Sequence, residues 1–292
     1  MDLELPLTRH PSRLPPRKQG QVRSTRGDRL LVVGGGPAGV AAATSAAQSG
    51  ARVILAERCA QLGGQLAIAG RTIRHRELWQ QWLRWAHREL SAGSVDVRLN
   101  HPVNESACAN FDQVIIATGA IPARPCLNWE GSQAVLSSWS AIMRPAPLTG
   151  SVLIADQEHE WSAVDAAEIL ATHGYAVTLM TDRGTPASLL RSMEREAYLD
   201  RLTTLGVRIL RHHRLLTTVR DGTIIQDIDR GRRFPVPQNM GAIVIASHRS
   251  PNITLWEKVK HMPNAKLVGD AVAPGSLEGS ITHGSRVGDC YF

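Results

Sequence analysis

The sequence predicts an α/β protein of two Rossmann-like, three-layer domains, the second inserted in the first. Three observations carry that reading. A glycine-rich turn, Gly34-Gly35-Gly36-Pro37-Ala38-Gly39, stands between an apolar strand and an alanine-rich helix. A second strand–helix–strand run, from SVLIAD at residue 151 to AVTLMTD ending at 182, repeats the rhythm without the glycines. Late in the chain, NAKLVGD supplies a further strand for the first domain. The expected boundaries are a basic, proline-containing arm at 1–28, a first domain at 29–148 and 250–292, and an insert at 149–249.

Taken in order, Arg29 to Val33 is short and apolar, as a parallel strand buried on both faces should be. It runs into G-x-G-x-x-G. Gly34 allows the tight turn, Gly36 lets backbone approach a pyrophosphate, and Gly39 permits close packing of helix on strand. The helix from Ala38 to about Ser49 closes at Gly50 and points its N-terminal N–H groups at the phosphates. ARVILAE then ends at Glu57, placed to accept hydrogen bonds from ribose hydroxyls. The same carboxylate repels a 2′-phosphate, so NADP is disfavoured even with Arg58 adjacent. Strand, turn, helix, second strand and terminal acid together predict an adenine dinucleotide, or a piece of one.

The insert reads differently at the equivalent turn. After SVLIAD stands Asp156-Gln157-Glu158-His159-Glu160-Trp161, where side chains fill the space a pyrophosphate needs. Three carboxylates stand where its charge would sit, and each such like-charge pair costs about 1 to 4 kcal/mol at a few ångströms. The neighbouring strand ends in Ala246-Ser247, where the first domain has Ala117-Thr118-Gly119. The second fold is therefore expected to persist as structure without NAD(P).

Further motifs narrow the first site. Gly63-Gly64-Gln65-Leu66 follows Glu57, FDQVIIATGA supplies a buried strand ending in Ala117-Thr118-Gly119, and the late strand runs into Gly269-Asp270. This set resembles the flavoproteins of FAD/NAD(P)-binding type. GGQLAIAG, VRLNHPV with Val103, and VIIATGAIPARP make the chain similar to the carboxyl-terminal half of the 2,4-dienoyl-CoA reductase and trimethylamine dehydrogenase family. The resemblance implies FAD on the first fold, with Asp270 accepting hydrogen bonds from ribityl hydroxyls. The cofactor-binding set it gives is Gly34, Gly36, Pro37, Ala38, Gly39, Glu57, Arg58, Gly64, Gln65, Leu66, Val103, Ala117, Thr118, Gly119, Gly269 and Asp270. In the trimethylamine dehydrogenase branch this site holds ADP alone, so ADP remains the alternative. In that family this half follows a flavin-bearing TIM barrel and an iron–sulfur segment. The resemblance thus implies a TIM-barrel flavin/iron–sulfur subunit as partner, with an electron-transfer protein as a further one. The function it implies is a nucleotide-binding subunit of a heteromeric flavin-dependent oxidoreductase, acting on amines by one reading. A non-catalytic ADP-binding module is the rival, and an NAD(P)H-dependent flavin reductase a weaker third.

Other classes are excluded by composition and spacing. Four dispersed cysteines, with no C-x-x-C, and histidines without ligand spacing predict no protein-bound metal. No apolar run approaches the roughly 20 residues of a membrane helix, and no secretory leader is evident, which predicts a cytoplasmic protein. The net charge of +7 is spread along the chain, and beyond the arm no basic motif points to nucleic acid. No residue is placed as catalytic. His283 reads as a helix-surface histidine, with a place near the isoalloxazine as the alternative. Trp79, Trp82 and Trp85 mark one packed helix face, or else a subunit interface. The helix after Asp270 is expected to be short or frayed.

Overall fold

The structure, a computed structural model, describes residues 29–123, 134–143, 150–219, 222–235 and 240–290. The basic arm and Cys126 lie outside the described residues. Along the chain the elements are β1 (Arg29–Val33), α1 (Pro37–Gln48), β2 (Arg52–Ala56), α2 (Gln65–Ala69), α3 (Ile73–Ala92), β3 (Asp96–Arg98), α4 (Glu105–Cys108) and β4 (Gln113–Ile116). Next come β5 (Ala120–Pro122), β6 (Ala134–Ser137), α5 (Ser138–Met143), β7 (Ser151–Asp156), α6 (Trp161–Thr172), β8 (Val177–Thr181), α7 (Ser192–Thr204) and β9 (Arg208–Leu210). The last are β10 (His213–Val219), β11 (Gly222–Asp227), β12 (Arg233–Pro235), β13 (Met240–Ala246), β14 (Arg249–Pro251), α8 (Trp256–Val259), β15 (Ala265–Leu267) and α9 (Leu277–Cys290). They form two compact units. Of the described residues, the first holds those within 29–64, 82–120 and 251–290; the second holds those within 65–81 and 121–250.

The first unit is built on a five-stranded parallel sheet in the order β15-β4-β1-β2-β3. Its central strands β4, β1 and β2 are short and largely apolar because both faces are covered, whereas the edge strand β3 exposes Asp96 and Arg98. Leu31 and Val33 pack with Val114, Ile116, Cys108 of α4 and Val259 of α8. Leu30 and Val32, which point the other way, have no exposure at all. Trp82, on α3, is likewise fully buried, and its ring lies 6.4 Å from that of the half-buried Trp85.

Helix α9 departs from expectation. It is a full helix of 14 residues, not a frayed end. Its glycines lower helix propensity, yet Gly284 and Gly288, one turn apart, let α9 lie directly on α1. A Cβ at Gly284 would stand 2.1 Å from the Ala38 carbonyl oxygen, and one at Gly288 would stand 2.5 Å from that of Ala42. A hydrogen bond from the Ser45 hydroxyl to the Asp289 carboxylate closes the contact. Packing overrides propensity here, which is the usual source of helix stability in a folded chain.

The second unit repeats the parallel sheet in the order β6-β13-β7-β8-β9. On one face Val152, Ile154, Leu179 and Val244 pack against Ala163, Ala166, Ala167 and Leu170 of α6 and Leu202 of α7. On the other, Leu153, Met180, Ile243 and Ile245 meet Leu215 and Ile225 of the antiparallel sheet β10-β11-β12. Helices, parallel sheet and antiparallel sheet are its three layers. Among the described residues, no helix is long and apolar enough to cross a membrane, and no group of acids, histidines and cysteines is arranged to hold a metal.

Candidate functional site

The glycine turn between β1 and α1 is tight for steric reasons. Gly34 has φ +111°, and a Cβ there would lie 2.3 Å from the Ala117 carbonyl oxygen. A Cβ at Gly39 would stand 1.9 Å from the Gly34 oxygen, so α1 can rise from the strand only at glycine. Gly36 is the exception: nothing lies within 4 Å of a Cβ built on it. It is the N-cap of α1, it supplies no side-chain cap, and Pro37 follows it in the first turn. The result is a helix N-terminus with open space before it, where backbone N–H groups and the helix dipole favour an anion.

Glu57 stands just past β2 and is buried, with 7% exposure. Its Oε2 accepts from the Gly35 N–H at 2.7 Å and its Oε1 from the Cys59 N–H at 2.8 Å. Each carboxylate oxygen keeps a second lone pair for a ribose hydroxyl. Arg58 beside it is exposed. Leu62, which the sequence did not single out, is buried under the turn; a Cβ at Gly35 would meet its Cδ2 at 2.6 Å. Gly64 follows, and its Cβ position is 3.6 Å from the Gly36 Cα, so this second turn lies beside the first. Val103 packs on the core cluster of Leu31, Val114 and Ile116.

The remaining predicted residues of the first unit gather at the same end of the sheet. Ala117 donates its N–H to the Val33 oxygen, while Thr118 and Gly119 are held by Asn252. The Thr118 hydroxyl donates to the Asn252 oxygen at 2.6 Å, and the Asn252 N–H donates to the Gly119 oxygen at 2.9 Å. Asn252 carried no signal in the sequence beyond its place in SPN. Gly269 has φ +64°, and a Cβ on it would lie 2.5 Å from the Ala38 Cβ. That contact puts the Asp270 turn against the start of α1. Asp270 is buried at 8% exposure, and its Oδ1 accepts from the Gly275 N–H at 3.1 Å and the Ser280 hydroxyl at 2.8 Å. Gln65 and Leu66 fall in the second unit, at the start of α2. There Gln65 Oε1 accepts from Arg249 Nη1 at 3.0 Å, and Arg249 Nη2 lies 3.7 Å from Glu160 Oε2.

The equivalent turn of the second unit is filled by its own side chains. Asp156 is buried and accepts through Oδ1 from the His159 N–H and through Oδ2 from the Ala187 N–H, both at 2.8 Å. Glu158, also buried, accepts from the Ser162 N–H at 2.7 Å, so a carboxylate of the chain itself occupies the N-terminus of α6. Burial pushes the Glu158 carboxyl above its ordinary range. The His159 ring lies 3.7 Å from Asp156 Oδ2 and 3.3 Å from Asp182 Oδ1, bridging the ends of β7 and β8. Asp156 raises its pKa, against the opposing effect of burial.

Behind α6 lies a buried polar group that sequence reading missed. Tyr198 Oη is 2.8 Å from Asp165 Oδ1 and 2.9 Å from Glu168 Oε2. One phenolic proton serves one of these oxygens, so the other contact needs a protonated carboxyl. Burial pushes Asp165 up to about 7 and supplies it, whereas Arg201 pairs with Glu168. His75 Nε2 lies 3.7 Å from Asp165 Oδ2, and burial pulls His75 down to about 4. The two shifts oppose each other. The raised Asp165 contributes stability that is lost as pH rises from about 4 to about 7; the depressed His75 costs stability as pH falls from about 6.5 to about 4. Chemical denaturation across this range should therefore show Asp165→Asn losing stability toward acid pH and His75→Phe losing it toward neutral pH. Parallel profiles for the two variants would contradict the assignment.

The class these features define is an FAD-dependent oxidoreductase domain. Residues 29–138 match the FAD dependent oxidoreductase family. The chain is 32% identical over 196 residues to a probable N-methylproline demethylase of Rhizobium meliloti (strain 1021), covering 66% of this chain and 29% of that protein. It is 27% identical over 273 residues to an NADH oxidase of Thermoanaerobacter brockii, covering 89% of this chain and 40% of that one. In fold it is similar to histamine dehydrogenase from Rhizobium sp. 4-9, with a TM-score of 0.82 at 22% identity over 94% of this chain and 45% of the other. These comparisons bear out the resemblance to the trimethylamine dehydrogenase and 2,4-dienoyl-CoA reductase family. The chain spans only about 29% and 40% of those two curated relatives.

Proposed function

We propose that this chain is the nucleotide-binding part of a flavin-dependent oxidoreductase, holding FAD on its first unit and leaving substrate chemistry to a partner subunit of TIM-barrel, iron–sulfur type. The observation that carries it is the contrast between two helix starts. The N-terminus of α1 has no side-chain cap and faces open space, whereas that of α6 is taken by Glu158. In this reading Gly36, Pro37 and Ala38 hold the pyrophosphate, Glu57 the adenosine ribose, and Asp270 the ribityl chain. When bound there, FAD would supply hydride and single-electron chemistry, the electrons passing between the partner's catalytic centre and an external acceptor. The chain's own residues bind and orient: Glu57 is fixed by two backbone N–H groups, and Asp270 by Gly275 and Ser280. A cytoplasmic, hetero-oligomeric protein is part of the same reading, and relatives named for oxidation of methylated amines favour an amine substrate.

The NADH oxidase among the relatives favours a second reading, reduction of the flavin by NAD(P)H on the second unit. The filled Asp156–Glu160 turn opposes it. Anaerobic stopped-flow mixing of the FAD-loaded chain with NADH or NADPH separates the two. No bleaching of the flavin band within minutes is expected, while chemically reduced protein is reoxidised by ferricyanide. Rapid reduction by either nicotinamide would overturn the proposal.

A further inference from the structure

We propose that His283 is a positioning residue of the cofactor site, whose Nδ1 fixes the turn that presents Asp270; this rests on the reading that the first unit holds FAD. The Gly269 N–H donates to His283 Nδ1 at 3.2 Å. An accepting Nδ1 puts the ring proton of the neutral imidazole on Nε2. Three residues earlier on the same face of α9, the Ser280 hydroxyl donates to Asp270 Oδ1 at 2.8 Å. Two side chains of one helix thus hold two successive residues of the turn, one through its backbone and the other through its carboxylate. Gly269 needs this support. Its φ of +64° and its approach to Ala38 leave the peptide little room, and a buried N–H without an acceptor is costly. Gly284, the next residue on α9, sets the helix on the Ala38 backbone. Helix α9 therefore ties the Asp270 turn to the start of α1: His283 and Ser280 hold the turn, and Gly284 seats the helix on Ala38. The sequence motif Gly269-Asp270 marks the turn, but nothing in it names the histidine that holds it.

The effect should fall on FAD and spare ADP, because ADP has no ribityl chain to meet Asp270. The test is titration of the nucleotide-free chain with FAD and with ADP by calorimetry, for wild type, His283→Leu, His283→Asn and Ser280→Ala, with Tm of each nucleotide-free variant. His283→Leu removes the acceptor and is expected to weaken FAD about five- to tenfold, the worth of one hydrogen bond, with ADP affinity kept. His283→Asn carries Oδ1 near the lost nitrogen and should restore FAD affinity to within about twofold of wild type, an effect much smaller than the lost bond itself. Ser280→Ala should show the same preference for ADP over FAD, and it serves if His283→Leu fails to fold. Equal losses for FAD and ADP, an unchanged FAD affinity in His283→Leu, or no recovery in His283→Asn would overturn the proposal alone. A wild-type chain that binds ADP and no FAD would overturn the cofactor reading and this proposal with it.

Discussion

Replacing Gly36 with Asp is expected to leave the chain folded, with an unchanged or slightly higher Tm, and to weaken FAD binding on the order of a hundredfold. The two signs have one origin. A side chain at position 36 meets nothing within 4 Å, so there is no steric cost to the fold. Position 36 is also the N-cap of α1, where Asp is preferred to Gly by a few tenths of a kcal/mol. The new carboxylate would cap the same N–H groups that a pyrophosphate must use, and it would repel the phosphates at short range. Glu158 already does this to α6. Thermal melting of the nucleotide-free variant and an FAD titration check both halves. A variant that melts early, or one that keeps its FAD, would contradict the account of the turn.

Gly284→Leu should act in the opposite way, on the fold first. A Cβ at that position falls 2.1 Å from the Ala38 carbonyl oxygen, which is backbone and cannot swing aside. Either α9 shifts as a whole or it leaves α1. Overpacking of this kind costs about 1 to 3 kcal/mol, occasionally more. The displaced helix also carries Ser280 and His283 away from the Asp270 turn, so FAD affinity should fall together with Tm. Gly279→Ala is the control on the same helix: its Cβ would meet only the Ser276 hydroxyl, at 3.2 Å. Comparable melting of the Gly284→Leu and Gly279→Ala variants would show that α9 does not depend on the close contact.

What was legible in the sequence was whatever the backbone demands locally. A tight turn needs glycine at 34, a helix leaving a buried strand needs it at 39, and buried parallel strands need unbroken apolar runs. Those requirements leave fixed marks. In the second turn the sequence showed acids at 156, 158 and 160 where the first turn has glycines. Its internal solution was not legible: that Asp156 would bind the Ala187 N–H, or that His159 would reach Asp182, depends on residues distant in the chain. The same holds for Asn252 on Thr118 and for Tyr198 between Asp165 and Glu168, whose spacing in sequence exceeds anything a local pattern encodes. Helix α9 misled for a related reason. The glycines and serines scattered through it lower intrinsic helix propensity, but Gly284 and Gly288 are what let it pack.

In the proposed function the chain carries one nucleotide site, and FAD fills it. A visible absorption spectrum of the purified chain, with mass spectrometry of the nucleotide released on denaturation, tests that directly. Visible flavin absorption bands and one FAD per chain are the expected result. Stoichiometric ADP without flavin bands would contradict it and leave the first unit as a structural ADP-binding module.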